Sequence, residues 1–170
     1  MILFSISCMT TFPRFPSTRQ HDDPFYNYSD EPVKFPLIKP YKVERWDSDS
    51  PWKVDLMPYG PWVQIPNSNE YYPYTYVEEL EKFAMENGVI MAVSSYINKQ
   101  ADAYIQKNFY HWFVIAPDQN ITVGFHTKDE FDQYIQKLGI QNPDWQTPDV
   151  AFDKYFETGC LDWIPDCNQK

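Results

Sequence analysis

Val89-Ile-Met-Ala-Val-Ser-Ser-Tyr96, Tyr110-His-Trp-Phe-Val-Ile-Ala116 and Ile121-Thr-Val-Gly-Phe-His126 are the three runs on which the fold turns. Each is short and rich in β-branched and aromatic residues, the composition that suits a pleated, half-buried surface. Pro117-Asp-Gln-Asn120 supplies turn chemistry between the last two. Together they predict an antiparallel meander over residues 89–126. The segment Ala101 to Lys107, between the first two runs, could add a helical turn.

Helices follow toward the C-terminus. Thr127-Lys-Asp-Glu130 has the capping-box pattern. It opens a helix carrying Phe131, Tyr134, Ile135 and Leu138 on one side and stopping at Gly139. Thr147-Pro148 opens another, with proline at its first position, which carries Val150, Ala151, Tyr155 and Phe156 up to Gly159. Before the meander, Val77, Leu80, Phe83 and Ala84 recur at helical spacing, with Asn87-Gly88 as the stop, which predicts a third.

Further upstream the elements shorten. Leu37 to Arg45 and Trp52 to Leu56 flank Trp46-Asp-Ser-Asp-Ser-Pro51, a loop suited to a hairpin, with Pro40 marking an edge or a break. Tyr59 to Pro66 adds one short strand, and Asn67 to Tyr76 reads as an aromatic loop. The fold class is therefore α+β. An antiparallel sheet, the 89–126 meander plus short N-terminal strands, carries two or three amphipathic helices on one face.

Composition sets the outer bounds. A chain of 170 residues, 43% apolar and 22% charged, is long enough for one domain with a full core. A formal net charge of −10 argues against nucleic acid or an anionic membrane surface as the main partner. No apolar run reaches the length of a spanning helix. Residues 1–75 hold 11 of the 15 prolines, whereas acidic excess lies in residues 76–170, with 15 acidic against 7 basic residues. The organisation predicted is an apolar start at 1–9, a proline-rich extended arm at 10–36 and a single α+β domain at 37–170.

The cysteines speak to compartment. Met1 to Met9 is apolar and resembles the tail of a bacterial lipoprotein signal, in which a small residue, here Ser7, precedes the lipidated cysteine, here Cys8. No lysine or arginine precedes Arg14, so the basic part of such a signal is missing. Cys160 and Cys167 flank a bend at Pro165 and are expected to form a disulfide. Zinc is not expected there, because six residues intervene and no histidine is near in sequence. Lipid and disulfide together imply an extracytoplasmic location, with the cytoplasm as the alternative.

Chemistry-bearing motifs are sparse. There is no Gly-x-Ser-x-Gly, no His-Glu-x-x-His and no phosphate-cradling glycine loop. His111 alternates with rings inside a strand, which marks a structural histidine, and His126 is expected near the opposite end of that hairpin. His21, in the arm, is expected to be solvated. Asp47 and Asp49 resemble the opening of a calcium loop, but Trp52 and Pro58 occupy the positions where an EF-hand needs glycine and glutamate. No metal and no cofactor are expected.

Trp62, Tyr71, Tyr72 and Tyr74 lie in proline-broken chain and make the candidate binding surface, since such rings combine apolar area with a polar handle. The function expected is a small, lipid-anchored binding protein of the bacterial cell envelope, with a protein or surface polymer as partner. Its alternatives are an acidic immunity-type inhibitor of a toxin or enzyme and a hydrolase with a site around His111. No oligomeric state follows from the sequence.

Overall fold

Asn87 and Gly88 both take left-handed backbone, at φ 53° and 76°. A two-residue loop of that kind is a type I′ turn, whose twist matches a β-hairpin. It joins β8 (Leu80–Glu86) to β9 (Val89–Ser94), with Glu86 opposite Val89. The helix expected over 77–88 is thus a strand. The misleading spacing has a cause: the register shifts between Leu80 and Lys82, where one extra residue bulges out. A bulge turns residues three apart to the same side, so Leu80 and Phe83 both reach one core.

The computed structural model describes residues 14–30, 32–60, 62–66, 69–96 and 109–167. Cys8 and the expected turn at 101–107 lie outside them. From β9 the meander runs as expected through β10 (Trp112–Ala116) and β11 (Ile121–Phe125), all antiparallel. Two short strands extend it: β5 (Trp62–Gln64), parallel to β11, and β6 (Tyr71–Pro73). The six-stranded order is β6-β5-β11-β10-β9-β8. A second sheet holds β1 (Ser29–Asp30), β2 (Val33–Pro36), β3 (Lys42–Arg45), β4 (Lys53–Asp55) and β7 (Tyr76–Val77), in the order β1-β2-β3-β4-β7. The β3–β4 hairpin is the expected one. Its tip is held by Asp47, whose carboxylate accepts from the Asp49 and Ser50 amides and the Ser50 hydroxyl. Those bonds hold its pKa below the usual carboxylate range. The stretch 67–76, read as loop, supplies β6 and part of β7.

The central strands of the large sheet are covered on both faces. All six residues of β9 are buried, the mark of a strand with no solvent side. Phe83, Ile90, Ala92, Phe113 and Ile115 face the first core, shared with Phe35, Val43 and Val54 of the small sheet. Ala84, Met91, Val114, Val123 and Phe125 face the second. The helices divide accordingly. Helix α1 (Lys128–Lys137), with its capping box from Thr127 and Glu130 in place, inserts Phe131 and Ile135 into the second core. Helix α2 (Pro148–Thr158), with proline at its start and Gly159 at φ 68° as its cap, gives Ala151 and Tyr155 to the first. The α+β class stands, but its two helices do not share one face.

The arm belongs to the domain. Val33–Pro36 is a strand inside the small sheet, and Phe35 is fully buried. Before it the chain lies along α2 and its cap. The Ser17 amide donates to the Phe156 carbonyl, and Tyr155 Oη donates to the Tyr26 carbonyl. Burial pushes the Tyr155 phenol pKa up. Gly159 has Arg19 and Ser17 where a side chain would stand, 2.7 and 2.8 Å from an added Cβ. His21, expected in solvent, is 6% exposed. The domain therefore starts well before residue 37. Prolines at 13, 16, 24 and 32 hid it, because a segment docked through backbone and ring contacts shows no apolar period. Cys160 and Cys167 form the expected disulfide.

Candidate functional site

Strand alternation sorts the aromatic residues. In β5 the middle residue, Val63, is fully buried, which turns Trp62 outward at 56% exposure. Tyr71, on the adjoining edge strand, is 54% exposed. The two rings border an open depression of about 480 Å³ with Gly60, Asn120 and Thr122. Gly60, at φ 98°, lets the Trp62 ring lie against the main chain, since an added Cβ would stand 3.3 Å from the indole Cδ1. The depression thus offers two broad rings, one amide and one hydroxyl side by side.

Tyr74 does something else. It packs half-buried against the first core, 5.6 Å from the Tyr110 ring and 5.7 Å from Phe113. Its hydroxyl accepts from the Tyr110 amide at 3.0 Å. It lines a separate cleft of about 240 Å³ whose wall includes Tyr76, Glu78, Tyr96, Phe109 and Tyr110. Glu78 is the one carboxylate among the described residues of that wall. The four candidates therefore do not form one surface: Trp62 and Tyr71 make a platform, and Tyr74 supports the cleft. Tyr72 pairs with Val63 through the backbone of β6.

The register of β10 with β11 corrects the placement of the histidines. Trp112 faces Phe125, and the His111 amide donates to the Phe125 carbonyl. Hence His111 and His126 sit at the same end of the hairpin. His111 Nδ1 lies 3.3 Å from the Ser94 carbonyl, and His126 Nδ1 lies 2.9 Å from the Phe109 carbonyl. Each imidazole meets main chain, an arrangement that orients a ring and ties neighbouring strands.

Tyr110, absent from the candidates read in the sequence, organises this end. Its ring lies over Gly124, where an added Cβ would come within 2.4 Å of Cγ and Cδ2. It also stacks on His126 at 4.6 Å between centroids. A glycine inside a β-run is the available signal, since it marks close approach of another group. Gly124→Ala is expected to displace the ring and cost about 1–3 kcal/mol, the usual range for overpacking. In a Tyr110→Ala background the same change should cost much less. A double-mutant cycle by urea unfolding measures the difference.

Glu78, Ser94 and the flanking rings are oriented by the same strands. Ser94 is 5% exposed and donates its hydroxyl to the Glu78 carbonyl. That bond ties the end of β9 to the segment that carries the cleft's carboxylate. This end presents ring faces, phenol hydroxyls, two imidazoles and the Glu78 and Glu79 carboxylates. Compared with known proteins, the chain matches no family model, no curated protein and no solved structure.

Proposed function

We propose that this chain is a small extracytoplasmic binding protein of the bacterial cell envelope, anchored by a lipid on Cys8, which captures a protein or surface polymer on its aromatic face. The observation that carries the reading is the exposure of Trp62 and Tyr71 together on the last two strands, β5 and the edge strand β6, of a sheet whose other rings are largely spent on its cores. Large rings left in water together, next to hydrogen-bonding groups, are the usual makings of a contact surface. The Cys160–Cys167 disulfide fits an oxidising compartment. No helix among the described residues is long and apolar enough to cross a membrane, so the lipid would supply the attachment.

Two measurements test this. Full-length protein expressed in a bacterial host is expected in the membrane fraction, and Cys8→Ser should release it to the soluble one. Immobilised protein should retain an envelope component that Trp62→Ala and Tyr71→Ala lose while keeping the wild-type melting temperature. Wild-type protein that stays soluble, or capture indifferent to both rings, would overturn the reading.

The net charge of −10 favours a second reading, an acidic inhibitor that neutralises a basic toxin or enzyme. Capture would then weaken steeply with added salt and follow charge reversal among the acidic residues of 76–170. Ring-mediated capture should survive salt.

A further inference from the structure

His21 is held among the C-terminal cysteines by contacts 138 residues apart in sequence. Its Nε2 lies 2.7 Å from the Gly159 carbonyl. A carbonyl can only accept, so Nε2 carries the proton, and in the neutral ring Nδ1 bears the lone pair. The side chain is 1% exposed, and Nδ1 has no hydrogen-bond partner. The sulfurs of Cys160 and Cys167 stand beside the imidazole, one ring nitrogen and both sulfurs lying within 4.8 Å of one another. Asp166 Oδ2 is 3.6 Å from Nδ1. A buried imidazole nitrogen without a hydrogen-bond partner, beside a carboxylate and on a ring next to two sulfurs, makes this corner a candidate ligand set.

We propose that reduction of the Cys160–Cys167 disulfide converts this corner into a zinc site, with His21 Nδ1, both thiolates and the Asp166 carboxylate as its four ligands. A dithiol reductant breaks the S–S bond, gives two electrons and two protons to the pair, and is itself oxidised to a cyclic disulfide. Zn²⁺ then displaces both thiol protons to solvent and forms two Zn–S bonds. The imidazole loses no proton.

The geometry favours this ion. Ligand atoms around tetrahedral zinc stand about 3.5 Å apart, given Zn–S near 2.3 Å and Zn–N near 2.1 Å. The sulfurs must separate, the histidine and cysteine atoms draw in slightly, and the Asp166 carboxylate, near Nδ1 but outside the three-atom group, must turn toward the sulfurs. A Cα–Cα distance of 5.5 Å between the cysteines leaves room for that by side-chain rotation. The Gly159 carbonyl already fixes the tautomer and ring plane, the outer contact that zinc-bound histidines characteristically make. Two sulfurs with one nitrogen and one oxygen suit zinc better than magnesium or calcium. The chain thus has two cross-linked states, one covalent and one through metal, and the arm's His21 joins only the second.

The test uses full-length protein carrying Cys8→Ser, so that this pair supplies the only thiols. After reduction by a phosphine, which does not compete for metal, Co²⁺ is titrated in without oxygen and then displaced by Zn²⁺. The reduced chain is expected to bind one Co²⁺ with a sulfur-to-cobalt charge-transfer band and tetrahedral d–d bands, and the oxidised chain none. Zinc should raise the melting temperature of the reduced protein alone. Cys167→Ser should lose the two-thiolate spectrum. His21→Asn should lose more than about 100-fold in affinity, because even an outer-contact change costs about 10–100-fold. Where His21→Asn does not fold, Asp166→Asn, at the edge of the site, is expected to weaken binding and alter the d–d bands. A reduced chain that binds no cobalt, binds it without sulfur character, or binds it equally well in folded His21 or Asp166 variants would overturn the proposal.

Discussion

A chain beginning at Lys34 is expected to melt at least about 10 °C below the full-length protein, a loss of several kcal/mol at this length. The deletion removes Tyr26, Tyr28 and Val33, which pack on the first core. It also removes β1 and leaves the outer side of β2 unpaired. The Tyr155 hydroxyl loses its acceptor at Tyr26, and the Gly159 and Phe156 carbonyls lose their partners at His21 and Ser17. Removing one partner of a buried bond costs about 1–3 kcal/mol when the other is stranded, although some of these groups will meet water. Thermal melts of the two chains at equal concentration read the effect. Equal melting temperatures would mean that the arm only rests on the domain.

Phe83→Ala is expected to cost about 3–5 kcal/mol, the range for deleting a buried aromatic ring. Phe83 is fully buried in β8. Its ring lies 5.8 Å from Phe35 of the small sheet and 5.8 Å from Trp163 beyond α2. It therefore touches both sheets and the C-terminal segment at once, and neighbours on three sides cannot all collapse into the space left. Its backbone also pairs with Gln146, on the outer edge of β8. Urea unfolding of wild type and variant, analysed with a common slope, gives the difference. A cost below about 1 kcal/mol would place the ring outside the core.

The meander, both helices and the β3–β4 hairpin were legible because each carries a local signal: alternation, a cap or a turn. Residues 77–88 misled because two signals conflicted. Helical spacing of Leu80, Phe83 and Ala84 came from a bulge, whereas Asn87-Gly88 spoke for a hairpin. The unbroken apolar run of β9 already announced a sheet covered on both faces, which separates the helices. The arm was illegible for a different reason. It is held by bonds to Tyr155, Phe156 and Gly159 across more than a hundred residues, and no local pattern encodes a contact of that range. His21 beside the disulfide is the same case. Trp62 and Tyr71, which lie in proline-broken chain, are exposed. Tyr74 shares that context yet turns inward, because its hydroxyl satisfies the Tyr110 amide.

The central claim is that Trp62 and Tyr71 bind a partner and do not merely cover the sheet. Calorimetric titration of the captured envelope component into wild type and into the Trp62→Ala/Tyr71→Ala variant tests it most directly, with a thermal melt of each sample. The expected result is an affinity lowered at least about 30-fold, the 2 kcal/mol that marks a hot spot. The melting temperature should stay within about 2 °C, as for other surface changes. Unchanged affinity in a folded double variant would contradict the claim.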